Sequence, residues 1–106
     1  MSDNLYQLVL STCSDIKAAN SLAVTLVEEN IAACVNVIDN VHSTYRWQGK
    51  VESSQEYLLI IKIKAANYPK VEQRITELHP YELPEIIAVP ITAGLPAYLN
   101  WIDHPQ

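Results

Sequence analysis

Apolar residues run through Leu5–Thr12 and read as a buried strand. Beyond it the pattern changes to helical spacing. Ile16, Ala19, Ala23, Leu26 and Val27 share one face, Ser14 is the expected cap, and Glu28, Glu29 and Asn30 close the helix, with Asn30 as its stop. Ala33–Trp47 and Lys50–Lys64 are rich in Val, Ile, Tyr and Thr. Only Gln48-Gly49 separates them, so they read as the arms of a hairpin. Pro69 suits the first turn of a second helix whose apolar face is Val71, Ile75 and Leu78. Ile86–Ile91 is a short apolar strand, with Pro90 near its end or on an edge. Pro96 opens a last helix, with Tyr98, Leu99, Trp101 and Ile102 packing inward or against a partner.

The order β-α-β-β-α-β plus a terminal helix is the split βαβ arrangement of an α+β, ferredoxin-like fold. Its expected form is an antiparallel sheet with two helices on one face. The hairpin is overlong for such a domain. Arms of about 15 residues span roughly 50 Å, whereas a compact domain of about 100 residues is only about 35 Å across. Either a bulge bends the hairpin, or its tip leaves the domain and pairs elsewhere. Tyr45, Trp47 and Tyr57 near the tip are costly to leave in water and are typical interface anchors, which favours a closed oligomer. Trp101 reads as a packing or interface residue.

The 106 residues fit one domain, 1–106, without linker or internal repeat. A hydrophobic fraction of 49% against 18% charged residues is globular, not disordered. The net charge of −5, with no Lys/Arg run, argues against nonspecific nucleic-acid binding. No apolar run approaches the length of a membrane span. Met1-Ser2-Asp3-Asn4 has no basic region of the export type, and two cysteines, Cys13 and Cys34, in such a chain point to free thiols in a reducing cytoplasm.

His79-Pro80-Tyr81-Glu82-Leu83-Pro84-Glu85 is the stretch richest in chemistry. It places an imidazole, a phenol and two carboxylates between a helix and a strand. Its prolines push His79 and Leu83 toward extended geometry. A loop stiffened this way suits metal ligation or small-molecule binding; it also reads as a rigid connector whose polar groups face water. Lys62 lies between Ile61 and Ile63 in an apolar strand, so it must reach solvent, a carboxylate such as Glu82 or Glu85, or an anionic ligand in a pocket with Tyr81. Cys34 reads as a small buried hydrophobe, and His42 and His104 as surface residues. The chain has no Gly-rich phosphate loop, Cys-x-x-Cys, His-Glu-x-x-His or Gly-x-Ser-x-Gly motif. Glu82 and Glu85 would need one raised pKa to act as an acid/base pair. The expectation is a protein that is not an enzyme.

Four motifs together resemble one family. They are Ala32-Ala33-Cys34-Val35-Asn36-Val37-Ile38, Tyr45-Arg46-Trp47-Gln48-Gly49-Lys50, His79 through Ile87, and Tyr98-Leu99-Asn100-Trp101-Ile102. The chain resembles the CutA divalent-cation tolerance family over nearly its whole length. The resemblance implies a ferredoxin-like homotrimer similar to the PII signalling proteins, cytoplasmic, and linked to tolerance of copper and other divalent metals. It also implies a copper site. Some members carry a Cys at the position matching Ser11 and a His pair matching Leu78 and His79, and here only His79 is kept. Cys13, two residues from Ser11, takes over the thiol role if the strand continues, with Glu82 as a further ligand. Two readings follow: a trimer binding Cu(II) or another divalent cation through His79, Cys13 and Glu82, and a PII-like regulatory module. The module's inter-subunit clefts, lined by Lys62, Tyr81, Glu82 and Glu85, would accept a small anionic ligand or a partner protein.

Overall fold

A computed structural model describes residues 4–106; the reading of Met1–Asp3 as free of an export leader lies outside them. The order is β1 (Tyr6–Cys13), α1 (Ile16–Glu28), β2 (Cys34–Trp47), β3 (Lys50–Lys64), a 3-10 turn, α2 (Tyr68–Leu78), β4 (Ile87–Pro90) and α3 (Pro96–Asp103). The sheet runs β2-β3-β1-β4 with every pair antiparallel. This is the expected ferredoxin-like α+β fold. No helix among the described residues is long and apolar enough to cross a membrane.

Strand alternation divides the sheet into two faces. Val9, Cys13, Leu59, Ile61 and Ile63 point to the helices and form the core with Ala19, Leu22 and Leu26 of α1 and Val71 and Ile75 of α2. Leu8, Leu10, Leu58, Ile60 and Lys62 alternate with them and belong to the opposite face, opposite Ile87 and Val89 of β4 and Cys34 and Ile38 of β2.

Asp15, not Ser14, caps α1: its carboxylate accepts from the Lys17 N–H at 3.2 Å. Asn30 stops the helix in the left-handed region at φ 61°. Asn30 N–H then reaches Val27 O and Ile31 N–H reaches Leu26 O, closing a Schellman motif that sends Ile31 into the core.

Of the two answers to the overlong hairpin, the bulge is the one the single chain displays. A bulge between Ile38 and Val41 takes up an extra residue, with Asn40 at φ 64° and its side chain accepting from Gln55. Beyond it Thr44–Trp47 are exposed, and the molecule measures 44 × 30 × 24 Å. The tip turns on Gln48 (φ 50°) and Gly49 (φ 80°); two consecutive positive φ values make a type I′ turn, which matches the strand twist.

Leu78 corrects the expected face of α2. It is 42% exposed, and the inward position goes to His79, at 7%. The chain leaves helical geometry at His79 (φ −73°, ψ 137°), as a residue before proline prefers, and the ring turns inward. Tyr57 is also corrected: it pairs with Cys13 and packs on the core, on the opposite face from the tip aromatics. β4 is one residue shorter at each end than expected, with Pro90 closing it on the sheet edge. Ile102 anchors α3 in the core region, and Tyr6 Oη donates to Asp103.

The burial pattern sets a contrast. Leu26→Ala should cost about 2–5 kcal/mol, and Leu78→Ala within about 0.5 kcal/mol, read from urea unfolding midpoints at matched slopes.

Candidate functional site

The end of β1 and the end of α2 meet at one imidazole. His79 Nδ1 accepts from the Tyr81 backbone N–H at 3.0 Å. The proton is therefore on Nε2, which donates to Thr12 O at 2.7 Å. Cys13 Sγ is 3.4 Å from the same nitrogen, within reach of that proton as a weak acceptor. β1 does continue to Cys13, as the thiol's expected role required, and both Ser11 and Cys13 are fully buried. Among the described residues Ser11 Oγ has no hydrogen-bond partner.

Burial pushes the Cys13 thiol up to about 11, with the charges of Glu56 and Asp15 adding to it. At neutral pH it is a thiol and not a thiolate. Tyr81 continues the network on the other side. Its ring lies 4.7 Å from the His79 ring, and its hydroxyl donates to Glu56 Oε2 at 2.6 Å. Burial, then that bond, pushes the phenol up to about 12.

Past Tyr81 the loop faces the outer hairpin across a cleft of about 400 Å³. Glu52, Glu56, Glu82 and Glu85 line it, with the rings of Tyr45, Trp47 and Tyr81, and its lining includes no Lys, Arg or His. The structure thus splits the expected sites. His79 and Cys13 come together, while Glu82 lies on the cleft wall with Tyr81 and Glu85. Lys62 is on neither; its Nζ sits 5.8 Å from the ring centre of Tyr98, which in turn packs on Trp101. Among the described residues no three His, Cys, Asp or Glu side chains converge to hold a metal ion. Sequence reading missed Glu56 and Glu52. The available signal was Glu56's place two residues before Leu58 and four before Ile60, a carboxylate on an apolar stripe.

The profile of the CutA1 divalent ion tolerance protein family matches residues 7–105. The chain belongs to the CutA1 family. It is 45% identical over 96 residues to the divalent-cation tolerance protein CutA of Thermus thermophilus, covering 91% of this chain and 93% of that one. CutA from Xylella fastidiosa superposes with a TM-score of 0.90 at 47% identity, over 92% of this chain and 94% of that one. A chloroplastic CutA of Arabidopsis thaliana is 40% identical over 92% of this chain; this chain spans only 53% of that longer relative. CutA1 members thus share this fold and a role in divalent-cation tolerance.

The Cys13 shift fixes a sign for pH. The folded thiol pKa, about 11, lies above the ordinary value of 9.0. The stability this confers is complete below about pH 9 and is lost as pH rises toward about 11. Urea unfolding should show that alkaline loss in the parent, and Cys13→Ala should flatten it by about 2 kcal/mol.

Proposed function

We propose that this chain is a cytoplasmic, non-enzymatic homotrimer acting in divalent-cation tolerance. Its metal, copper first among candidates, is taken weakly by His79 and Cys13. The observation that carries the reading is the 3.4 Å approach of Cys13 Sγ to His79 Nε2, which puts an imidazole and a thiol side by side. Both donor types suit copper, which heads the affinity order of divalent first-row metals.

The donors are available only at a cost. Ionising a thiol of pKa about 11 costs roughly 5 kcal/mol at neutral pH. Freeing Nε2 moves the imidazole proton to Nδ1 and breaks the bonds to Thr12 O and Tyr81 N–H, about 2 kcal/mol together. A full structural zinc site is worth about 10–16 kcal/mol, so two of four ligands recover about half of it, roughly 5–8 kcal/mol. The terms nearly cancel, and binding is weak unless a second subunit or solvent completes the site.

The open sheet face supports assembly. Ile38, Ile87 and Val89 are 43–51% exposed beside the half-buried Leu10, Leu58 and Ile60, a contiguous row of apolar side chains of the kind that marks an interaction surface. β2 and β4 are unpaired edges beside it. The free cysteines support the reducing compartment. A second reading, a regulatory binding module, is favoured by the cleft at the 79–85 loop. The acidic lining there complements a cation, the opposite of the anion expected with Lys62.

In a Cu(II) titration of chelator-stripped, reduced protein, binding should be lost in both His79→Ala and Cys13→Ser. One thiol proton leaves per metal, so apparent affinity should rise about tenfold per pH unit near neutrality. Binding unchanged in both variants would sink the site. Light scattering should give three times the 11.9 kDa subunit mass, and Ile60→Asp should lower it.

A further inference from the structure

The cleft opens on the bare side of the sheet. Thr12 pairs with Leu58, and Glu56 and Glu52 continue the same alternation along β3, so the cleft floor and the apolar row are one surface. At the cleft end that surface gathers Glu52, Glu56, Glu82 and Glu85, with no basic side chain in the lining. At the other end, six residues along β3 from Glu56, Lys62 stands half-buried. Its Nζ lies over the Tyr98 ring and has no carboxylate partner, since the ion pairs among the described residues all belong to Arg74. Six residues of strand span about 20 Å, so Lys62 does not reach the cleft of its own chain.

Between these two ends runs the apolar row that supports assembly. A second copy covering that row also covers the ends, and covering an unpaired charge is costly unless the cover brings the opposite charge. The ends supply it to each other. One carries a lysine beside Tyr98, which is 40% exposed on α3; the other carries glutamates beside Tyr45 and Trp47, which are 43% and 42% exposed. Each end is an apolar, aromatic surface with one sign of charge set in it. Around a closed ring of copies, the positive end of each meets the negative end of the next, and no end is left over.

We propose that Lys62 of each copy docks at the acidic cleft of the next. Its ammonium pairs with the next copy's Glu82 and Glu85, and the exposed face of α3 packs on that copy's Tyr45 and Trp47. Glu56 already accepts the Tyr81 hydroxyl and stays with its own chain. The pocket expected from Lys62, Tyr81, Glu82 and Glu85 is then built from two chains, each holding part of it. Opposite charges at the boundary fix the register in which copies meet. The proposal rests on the homotrimer reading and adds the residues that order the ring. It uses neither His79 nor Cys13, so the copper reading stands or falls separately.

Charge exchange in the whole, metal-stripped protein tests it, read by light scattering through a dilution series. Lys62→Glu sets like charges at every boundary. It should raise the concentration at which the assembly falls to the 11.9 kDa subunit by roughly tenfold or more. Glu82→Lys with Glu85→Lys should do the same. All three changes in one chain put opposite charges back at each boundary and should restore the parent mass, which a defect within one chain would not allow. In parallel, a carbodiimide, which joins an amine to a carboxylate in direct contact, should give a covalent dimer on denaturing gels. Its linked peptides should hold Lys62 and Glu82 or Glu85, and Lys62→Gln should lose that link. Where a charge-reversed chain does not fold, the Lys62→Gln comparison decides. A parent that scatters as a monomer would remove the trimer reading and this proposal together. A parent trimer with no Lys62 link, or one whose mass is unchanged in folded Lys62→Glu, would overturn the proposal alone. So would cleft glutamates linked to Lys50 instead, which would assign the cleft to a neighbour's hairpin tip.

Discussion

The neutral imidazole of His79 ties the end of α2 and the loop that follows it to the end of β1. Nε2 gives its proton to the carbonyl of Thr12 at the end of β1, and Nδ1 takes the Tyr81 N–H of the loop that follows α2. With both nitrogens occupied, the ring needs no water and can be buried. That burial seals the end of the core over Cys13 and raises its thiol pKa. The same two bonds fix where Tyr81 leaves the loop, and so let its hydroxyl span to Glu56 on β3. The core end, the buried thiol and the cleft floor therefore share one ring and its tautomer.

β3 carries the other half of the architecture. Its odd-numbered residues, Leu59, Ile61 and Ile63, fill the core, while its even-numbered residues run along the open face from Lys62 through Ile60 and Leu58 to Glu56. The apolar middle of this face is suited to other copies of the chain. Its ends are charged, and with opposite sign. Lys62 sits under α3 near Tyr98, and Glu56 sits under the 79–85 loop.

The His79–Cys13 pair and the cleft are linked through the His79 ring without being one site. A metal on Nε2 would move the ring proton and release the Tyr81 N–H, loosening the phenol that donates to Glu56. A cation in the cleft would act on Glu56 without touching the thiol.

Much of the fold was legible from local rules. Periodicity marked all seven strands and helices within about two residues, and the chain order dictated the split βαβ sheet, because these signals are set by neighbours in sequence. Asn30 as helix stop, Pro69 at the start of α2 and Gln48-Gly49 as the turn also follow from local backbone preferences. The candidate site was legible only in part. His79 and Cys13 were identifiable as donors, but not that both imidazole nitrogens are already hydrogen-bonded. That depends on Thr12, 67 residues away in sequence. Lys62 seemed a companion of Tyr81 and Glu85 because the sign of a pocket cannot be read from one strand. Only the packing of the loop against the hairpin shows four carboxylates lining it and Lys62 absent. Sequence alone determined which residues alternate, cap and turn. Tertiary structure alone decided which charges share a cavity and which donors are spent, since both depend on distances between segments far apart in the chain.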